Sequence, residues 1–344
     1  MPMPKLFLLI IIVFIIKTTP LSGQPSRVGI IDFYGVVSKQ NDLKKCLPFN
    51  ENDTLTFLTE TAFPIAKKKI IDCLLTQDNI KQADISFICC HDKDKWIVFV
   101  GADTIPAKAI KSTKQADIKL PFEMKSTYDS LLDQIMIAVE NGQASENDSN
   151  GHALMDYLPA RELQEKFIIY ANKNLNLLRD VLKNSNDHEQ RAAAASIIAY
   201  YQDKNVIIDD LLDAVSDAHE NVRNNAMRAI GIIADYSNQE PQLKIKIPVD
   251  PFINMMNSIS WTDRNKSSFV LLALTTNRDI KVLDQLKRKA LQPIVDMANW
   301  KSEGHFMPGY LMLGRIAGWT DQEIMDGTNQ RMESIKKMLA QINN

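Results

Sequence analysis

The sequence predicts a mainly α protein: an α-solenoid of stacked helical repeats over residues 159–344, preceded by a small α+β domain of βααββ order over residues 26–103. Two observations carry this reading. The first is a pattern that recurs. Arg191, Ala194, Ile197, Ile198 and Tyr201 share one helix face, and the same spacing returns 32 positions later at Arg223, Ala226, Ala229, Ile230 and Ile233. A third copy follows after a further 41 positions at Arg264, Ser267, Val270, Leu271 and Leu274. A face this apolar needs a neighbour of the same kind, so recurrence at such a period implies repeats that bury each other. The second is that the β-branched and aromatic runs fall early in the mature chain, before the repeats begin.

The chain opens with Lys5, eleven apolar residues at 6–16, and Lys17. That layout reads as a secretory signal peptide over residues 1–23. At about 1.5 Å per residue such a run spans only about half of a roughly 30 Å hydrocarbon core, so no integral membrane segment is expected after cleavage. The remainder carries 38 basic and 42 acidic residues, a net charge of −4 that offers no broad footprint for nucleic acid. With 45% hydrophobic residues the chain can build real cores.

In order, Val28, Ile30, Ile31 and Phe33 read as a strand closed by Gly35. Ser38 caps a short helix through Leu43 and Cys46. A second helix carries Phe63, Ile65, Ile70, Ile71 and Leu74, with Pro64 near its start. Two strands follow, one through Ile85, Phe87 and Cys89 and one over residues 96–100. All four cysteines, Cys46, Cys73, Cys89 and Cys90, lie in this region. Export would oxidise them, and a bridge among Cys46, Cys73 and Cys89 is expected, since helices packed on a sheet bring these positions towards one core. Adjacent Cys89 and Cys90 point to opposite faces of a strand, which makes that pairing the least expected. Residues 104–158 read as a connector, with one helix through Met124, Tyr128, Leu131, Leu132, Ile135 and Val139, and then a polar loop.

Ile31-Asp32-Phe33-Tyr34-Gly35, Asn52-Asp53-Thr54-Leu55 and the closing strand pair resemble the βααββ polypeptide-transport-associated (POTRA) fold of bacterial envelope proteins. No alternating strands of an outer-membrane barrel follow.

A long helix over residues 160–182 is the expected first layer of the array. In the next units the Ala or Ser three places after each arginine lets neighbouring helices approach. Asp217-Ala218-His219-Glu220-Asn221-Val222-Arg223-Asn224-Asn225-Ala226 resembles HEAT-like repeats, with their turn aspartate and helix arginine. A last unit through Leu286, Ile294 and residues 306–317 lacks the arginine, and residues 321–342 cap the end. Taken whole, with Gly151-His152-Ala153-Leu154-Met155 and Trp261-Thr262-Asp263-Arg264-Asn265-Lys266, the chain resembles an uncharacterised family of secreted bacterial HEAT-repeat proteins. That resemblance implies no activity.

Signature motifs of nucleotide binding, serine hydrolysis, zinc proteolysis and thioredoxin chemistry are missing, so no catalytic residue, cofactor or enzyme activity is expected. Cys89-Cys90-His91-Asp92 places a thiol beside an imidazole, but strand neighbours face apart. The five histidines have no ligand spacing, and no metal site is expected. Asp187, Asp217 and Asp263 are expected to pair across their turns with Arg191, Arg223 and Arg264, as a structural ladder. Asn224, Asn225, Arg228, Trp261, Asn265 and Lys266 are polar or aromatic groups the apolar face does not need, and form the expected binding face. The favoured function is a non-enzymatic scaffold, periplasmic or extracellular, that binds an unidentified protein partner. An envelope assembly or transport factor using the N-terminal domain comes second, and a thiol enzyme third.

Overall fold

The computed structural model describes residues 26–36, 39–59, 61–92, 95–106 and 116–343, with backbone alone for Cys90, His91 and Asp92. The expected signal peptide and Ser38 lie outside the described residues. What is described is mainly α, a helical-repeat solenoid preceded by a small βααββ domain. No described helix is long and apolar enough to cross a membrane.

The N-terminal elements are β1 (Arg27–Gly35), α1 (Gln40–Lys44), α2 (Ala62–Thr76), β2 (Gln82–Asp92) and β3 (Lys95–Asp103). Their sheet runs β1-β3-β2, with β3 parallel to β1 and antiparallel to β2. A register shift between Val28 and Ile30 puts Val28 on the same side as Ile31 and Phe33, which simple alternation from Val28 to Ile30 does not predict. That side packs with Leu43, Ile70, Leu74, Ile85 and Phe87 into one core. Within it Cys46 and Cys73 are joined by a disulfide closing 27 positions of chain. Neither can therefore be the partner of Cys89, which is also disulfide-bonded.

Both sides of β3 are buried, with Ile97 and Phe99 facing away from this core. A strand apolar on both faces needs a second covering layer, and the C-terminal helices provide it. By its contacts the chain divides into two compact units, and the boundaries expected at residues 103 and 158 do not separate them. One unit joins the described residues up to Ala109 with Phe252–Ser268 and Arg278–Asn344; the other holds Ile110–Pro251 and Phe269–Asn277.

In the sheet-containing unit, α12 (Leu291–Ala298) packs on β1, while the start of α10 (Trp261–Leu274), Trp300 and α13 (Glu303–Ile316) cover Phe99. The Phe99 ring lies 5.1 Å from Trp261, 4.7 Å from Trp300 and 5.1 Å from His305. Tyr34 meets Trp300 edge-on at 6.0 Å and donates its hydroxyl to the Ile259 carbonyl at 2.7 Å. Gly101 makes room for this: a Cβ there would fall 2.4 Å from the Tyr34 ring. The Asp32 carboxylate accepts the Lys301 N–H at 3.1 and 3.0 Å. The same unit holds α9 (Asp250–Met256) from Phe252 onwards, α11 (Ile280–Lys289), α14 (Asp321–Asp326) and α15 (Arg331–Asn343).

In the other unit, the helix expected over residues 160–182 is two helices, α4 (Leu158–Lys173) and α5 (Leu175–Asn184). Asn174 divides them: it leaves helical geometry at φ −128°, and both its N–H and its side-chain amide donate to the Tyr170 carbonyl. α5 thus becomes the first helix of a pair with α6 (His188–Ile198), followed by α7 (Lys204–Ala214) and α8 (Glu220–Gln239). The expected polar loop contains a two-stranded hairpin, β4 (Glu146–Asn147) with β5 (Leu154–Met155), ahead of α4 and after α3 (Phe122–Glu140).

If the second sheet face is the structural joint of its unit, Phe99→Ala should cost about 3–5 kcal/mol, the range for truncating a buried aromatic. Denaturant unfolding followed by tryptophan fluorescence measures this directly, because Trp261 and Trp300 line the same contact. A loss within about 0.5 kcal/mol would show that the helices do not depend on the sheet.

Candidate binding cleft

The arginine of each repeat has a fixed job. Arg191 donates to the Ser185 carbonyl at 2.9 Å, Arg223 to that of Asp217 at 2.9 Å and Arg264 to that of Ser258 at 2.6 Å, in each case 6 residues back. Each guanidinium therefore ties down the turn before its own helix. Arg191 then reaches a carboxylate in the following repeat, as a bidentate pair with Asp217 at 2.9 and 2.8 Å, with both side chains almost fully buried. Arg264 likewise approaches Asp296, at 3.9 Å. Asp187 does not pair with Arg191 as expected but caps α6, accepting the Glu189 N–H at 2.8 Å. Asp263 instead accepts the Ser258 hydroxyl at 2.8 Å. For Asp187 the physical reason is reach: a carboxylate at the N-cap is turned onto the first N–H groups of its own helix.

The six residues expected to form an exposed binding face are internal contacts. Asn225 donates to the Tyr128 hydroxyl at 3.0 Å and to the Ala192 carbonyl at 2.9 Å. Its neighbour Asn224 is buried and donates to the Asn225 side-chain oxygen at 2.9 Å. Arg228 grips the Glu146 carboxylate at 2.5 and 2.6 Å, so it holds the β4–β5 hairpin. Trp261 is buried against Phe99 and His305, and Asn265 and Lys266 are buried with it. Asn225, Arg228 and Trp261 are superfluous to the repeat core because they dock other parts of the chain onto it. The near-continuous apolar run Trp96-Ile97-Val98-Phe99-Val100 was the sequence signal for such docking, since it marks a strand covered on both sides.

Beside this hairpin the Lys204 ammonium donates to the Ala199 and Tyr201 carbonyls at 2.8 and 2.7 Å and lies 3.4 Å from His152 Nδ1. Burial pushes the Lys204 amine down to about 7. His152 falls to about 4, from burial first and the Lys204 charge second. His188 and His219 stack with ring centroids 3.6 Å apart and planes 5° from parallel. A metal binds in the plane of an imidazole, so two parallel rings this close cannot share one ion. No cluster of His, Cys, Asp or Glu suited to a metal occurs among the described residues. Cys89, held in a disulfide, offers no thiolate nucleophile in this state.

What the sheet-containing unit does offer is an open cleft of about 450 Å³, lined by Gly35, Asp103 and Thr104 from the sheet side and by Asn257, Arg264, Gln292 and Asp296 from the helices. Its volume is in the range of about 300–1,000 Å³ that accommodates ligands. Gly35 adopts φ +82°, and a Cβ there would lie 2.1 Å from the Ala102 carbonyl oxygen, so the turn at this wall requires glycine. Asp296 accepts the Gly35 N–H at 3.1 Å and the Gln292 amide at 2.8 Å. Burial raises the Asp296 carboxyl, and its hydrogen bonds with Gln292 and the Arg264 charge work against that rise. The guanidinium of Arg264 lies 4.8 Å from the Tyr34 ring. Nothing in the sequence reading singled out Asp103, Gln292 or Asp296, which lie far apart along the chain in no motif.

No protein-family model matches the chain, and no curated protein matches it. Among solved structures, a computationally designed armadillo repeat protein for modular peptide recognition shares 18% identity, over 64% of this chain and 97% of its own, at a TM-score of 0.39. A designed armadillo repeat protein in complex with the peptide (KR)4 shares 16% identity, over 64% of this chain and 99% of its own, at a TM-score of 0.36.

Two expectations follow from the geometry. Arg191→Ala takes the guanidinium from the buried Asp217 carboxylate and should cost about 3–5 kcal/mol, whereas Asp187→Ala removes only a cap, worth about 1 kcal/mol; urea unfolding of the two variants separates these roles. The second concerns pH. Burial, with the Lys266 charge adding to it, holds the His305 imidazole at about 3, while an unfolded histidine takes up its proton near 6.5. Below that point the unfolded chain binds the extra proton, so this contribution to stability is complete above about pH 6.5 and is lost as pH falls towards 3. His305→Phe should flatten the stability profile over this acid range by up to about 1.4 kcal/mol per pH unit. Unfolding curves at stepped pH values read that slope.

Proposed function

We propose that the chain is an exported, non-enzymatic scaffold, working in the periplasm or outside the cell, that receives a protein partner at the cleft of its sheet-containing unit. The observation that carries this is the make-up of the cleft: a recess walled by sheet and helix together, with charged groups from both. Repeat proteins serve as binding surfaces through such extended, pre-formed walls. Export is supported by the short apolar run at residues 6–16 and by the Cys46–Cys73 disulfide, a bond of oxidising compartments. The resemblance to secreted bacterial HEAT-repeat proteins, with a POTRA-like first domain, agrees with that placement.

A second reading, an envelope assembly or transport factor, is favoured by one observation. In the order β1-β3-β2, strand β2 lies at the sheet edge with eleven residues and only β3 beside it among the described strands. An edge of that kind can take a client strand by main-chain pairing.

Photo-crosslinking in the native envelope tests the first reading. A benzophenone amino acid at Thr104, on the cleft wall, should capture a discrete protein, and the same group at exposed Lys337 on α15 should not. Intact mass of the recovered chain should show loss of residues 1–23. Equal capture from both positions, or a chain that keeps its leader in the membrane pellet, would sink the proposal.

A further inference from the structure

The charge balance of the cleft selects its ligand. Two carboxylates, Asp103 and Asp296, face one guanidinium, Arg264, in the same recess. They interact with one another: each carboxylate acts on the Arg264 charge, and Asp103 acts on Asp296. Arg264 is already compensated, with Asp296 at 3.9 Å on one side and the face of the Tyr34 ring at 4.8 Å on another. The Asp103 carboxylate is the surplus charge. One of its oxygens accepts the Ile105 N–H at 3.0 Å, which fixes its direction. Carboxylates held close in a partly desolvated recess repel, and a cation placed between them relieves both the repulsion and the cost of burial.

A second observation narrows the ligand from cations in general. The Arg264 side chain is 4% exposed, and its Nη1 has no hydrogen-bond partner. A buried donor left unmet is costly, and a metal ion or a simple amine would leave it so. A peptide supplies both needs, a cationic side chain for the carboxylates and a main-chain carbonyl for the guanidinium. We infer that the cleft binds a lysine- or arginine-bearing peptide segment of the partner, with the cationic head at Asp103 and Asp296 and a peptide carbonyl towards Arg264. This rests on the scaffold reading above and names its partner's chemistry.

The test uses the full processed chain and fluorescein-labelled, end-capped pentapeptides that differ only at the central residue: lysine, arginine, Nε-acetyl-lysine or glutamate. Fluorescence anisotropy should show lysine and arginine peptides binding at least about tenfold tighter than the acetyl-lysine peptide, with the glutamate peptide weakest. Asp103→Asn should remove most of that preference, about tenfold, in keeping with loss of one charged hydrogen bond. Because Asp103 sits at a strand end and is only half-buried, the variant should melt like the parent. Asp284→Asn, an exposed carboxylate outside the cleft lining, should leave binding unchanged.

Three results overturn the inference: acetyl-lysine binding as tightly as lysine, Asp284→Asn weakening binding as much as Asp103→Asn, or ethylammonium competing as well as the lysine peptide. A chain that binds none of the peptides but still captures a discrete protein at Thr104 would refute the ligand class and leave the scaffold standing. Failure of both would refute both.

Discussion

The structure depends on burying both faces of one small sheet. One face closes over α1 and α2, stapled by Cys46–Cys73. The other carries Phe99 and Tyr34, which would stand bare in water without the indoles of Trp261 and Trp300 and the ring of His305. Burial of this aromatic layer is non-directional and large. The polar contacts around it give it one orientation: Tyr34 to the Ile259 carbonyl, Asp32 to the Lys301 N–H, and Gly35 to Asp296. Sheet and C-terminal helices are consequently one unit, although more than a hundred residues of chain separate them.

The cleft is a by-product of that docking. Gly35 ends β1 in a left-handed turn, and Asp103 ends β3, so both strand ends arrive beside the N-terminal half of α10 and the start of α12. The gap left where a flat sheet end meets round helices is lined by whatever polar groups finish those elements. Asp296 serves two purposes there, holding the sheet through Gly35 and the repeat arginine through Arg264. Burial of such a carboxylate is tolerable because N–H donors and a guanidinium surround it.

In the other unit the same economy operates through arginine. A guanidinium has five donors in a fixed fork, enough for Arg191 to hold a carbonyl of its own turn and both oxygens of Asp217 in the next repeat. Asp217 passes the connection on, its carbonyl accepting from Arg223. The stacked rings of His188 and His219 lie at the same level. Helices with so many alanines need such a fastening, because small side chains allow close approach while supplying little apolar area of their own.

The repeats were legible in the sequence because their determinants are local and periodic: Arg191, Arg223 and Arg264, each followed three residues later by Ala or Ser, recur on one helix face. The order of strands and helices before residue 103 was legible for the same reason, since alternation and turn residues act over a few positions. Other features required the folded chain. Asn174 splits a helix whose apolar spacing runs straight through it, because one asparagine amide competes for a carbonyl. The partners of Arg191 and Arg264 lie 26 and 32 residues away, beyond the nearer aspartates that spacing alone suggests. Trp261, Asn265 and Arg228 read as a free surface because a single helix does not reveal what is docked on it. The cleft joins Gly35, Asp103, Arg264 and Asp296 across the whole described chain, and residues so distant become neighbours only when the apolar second face of the sheet has found its cover.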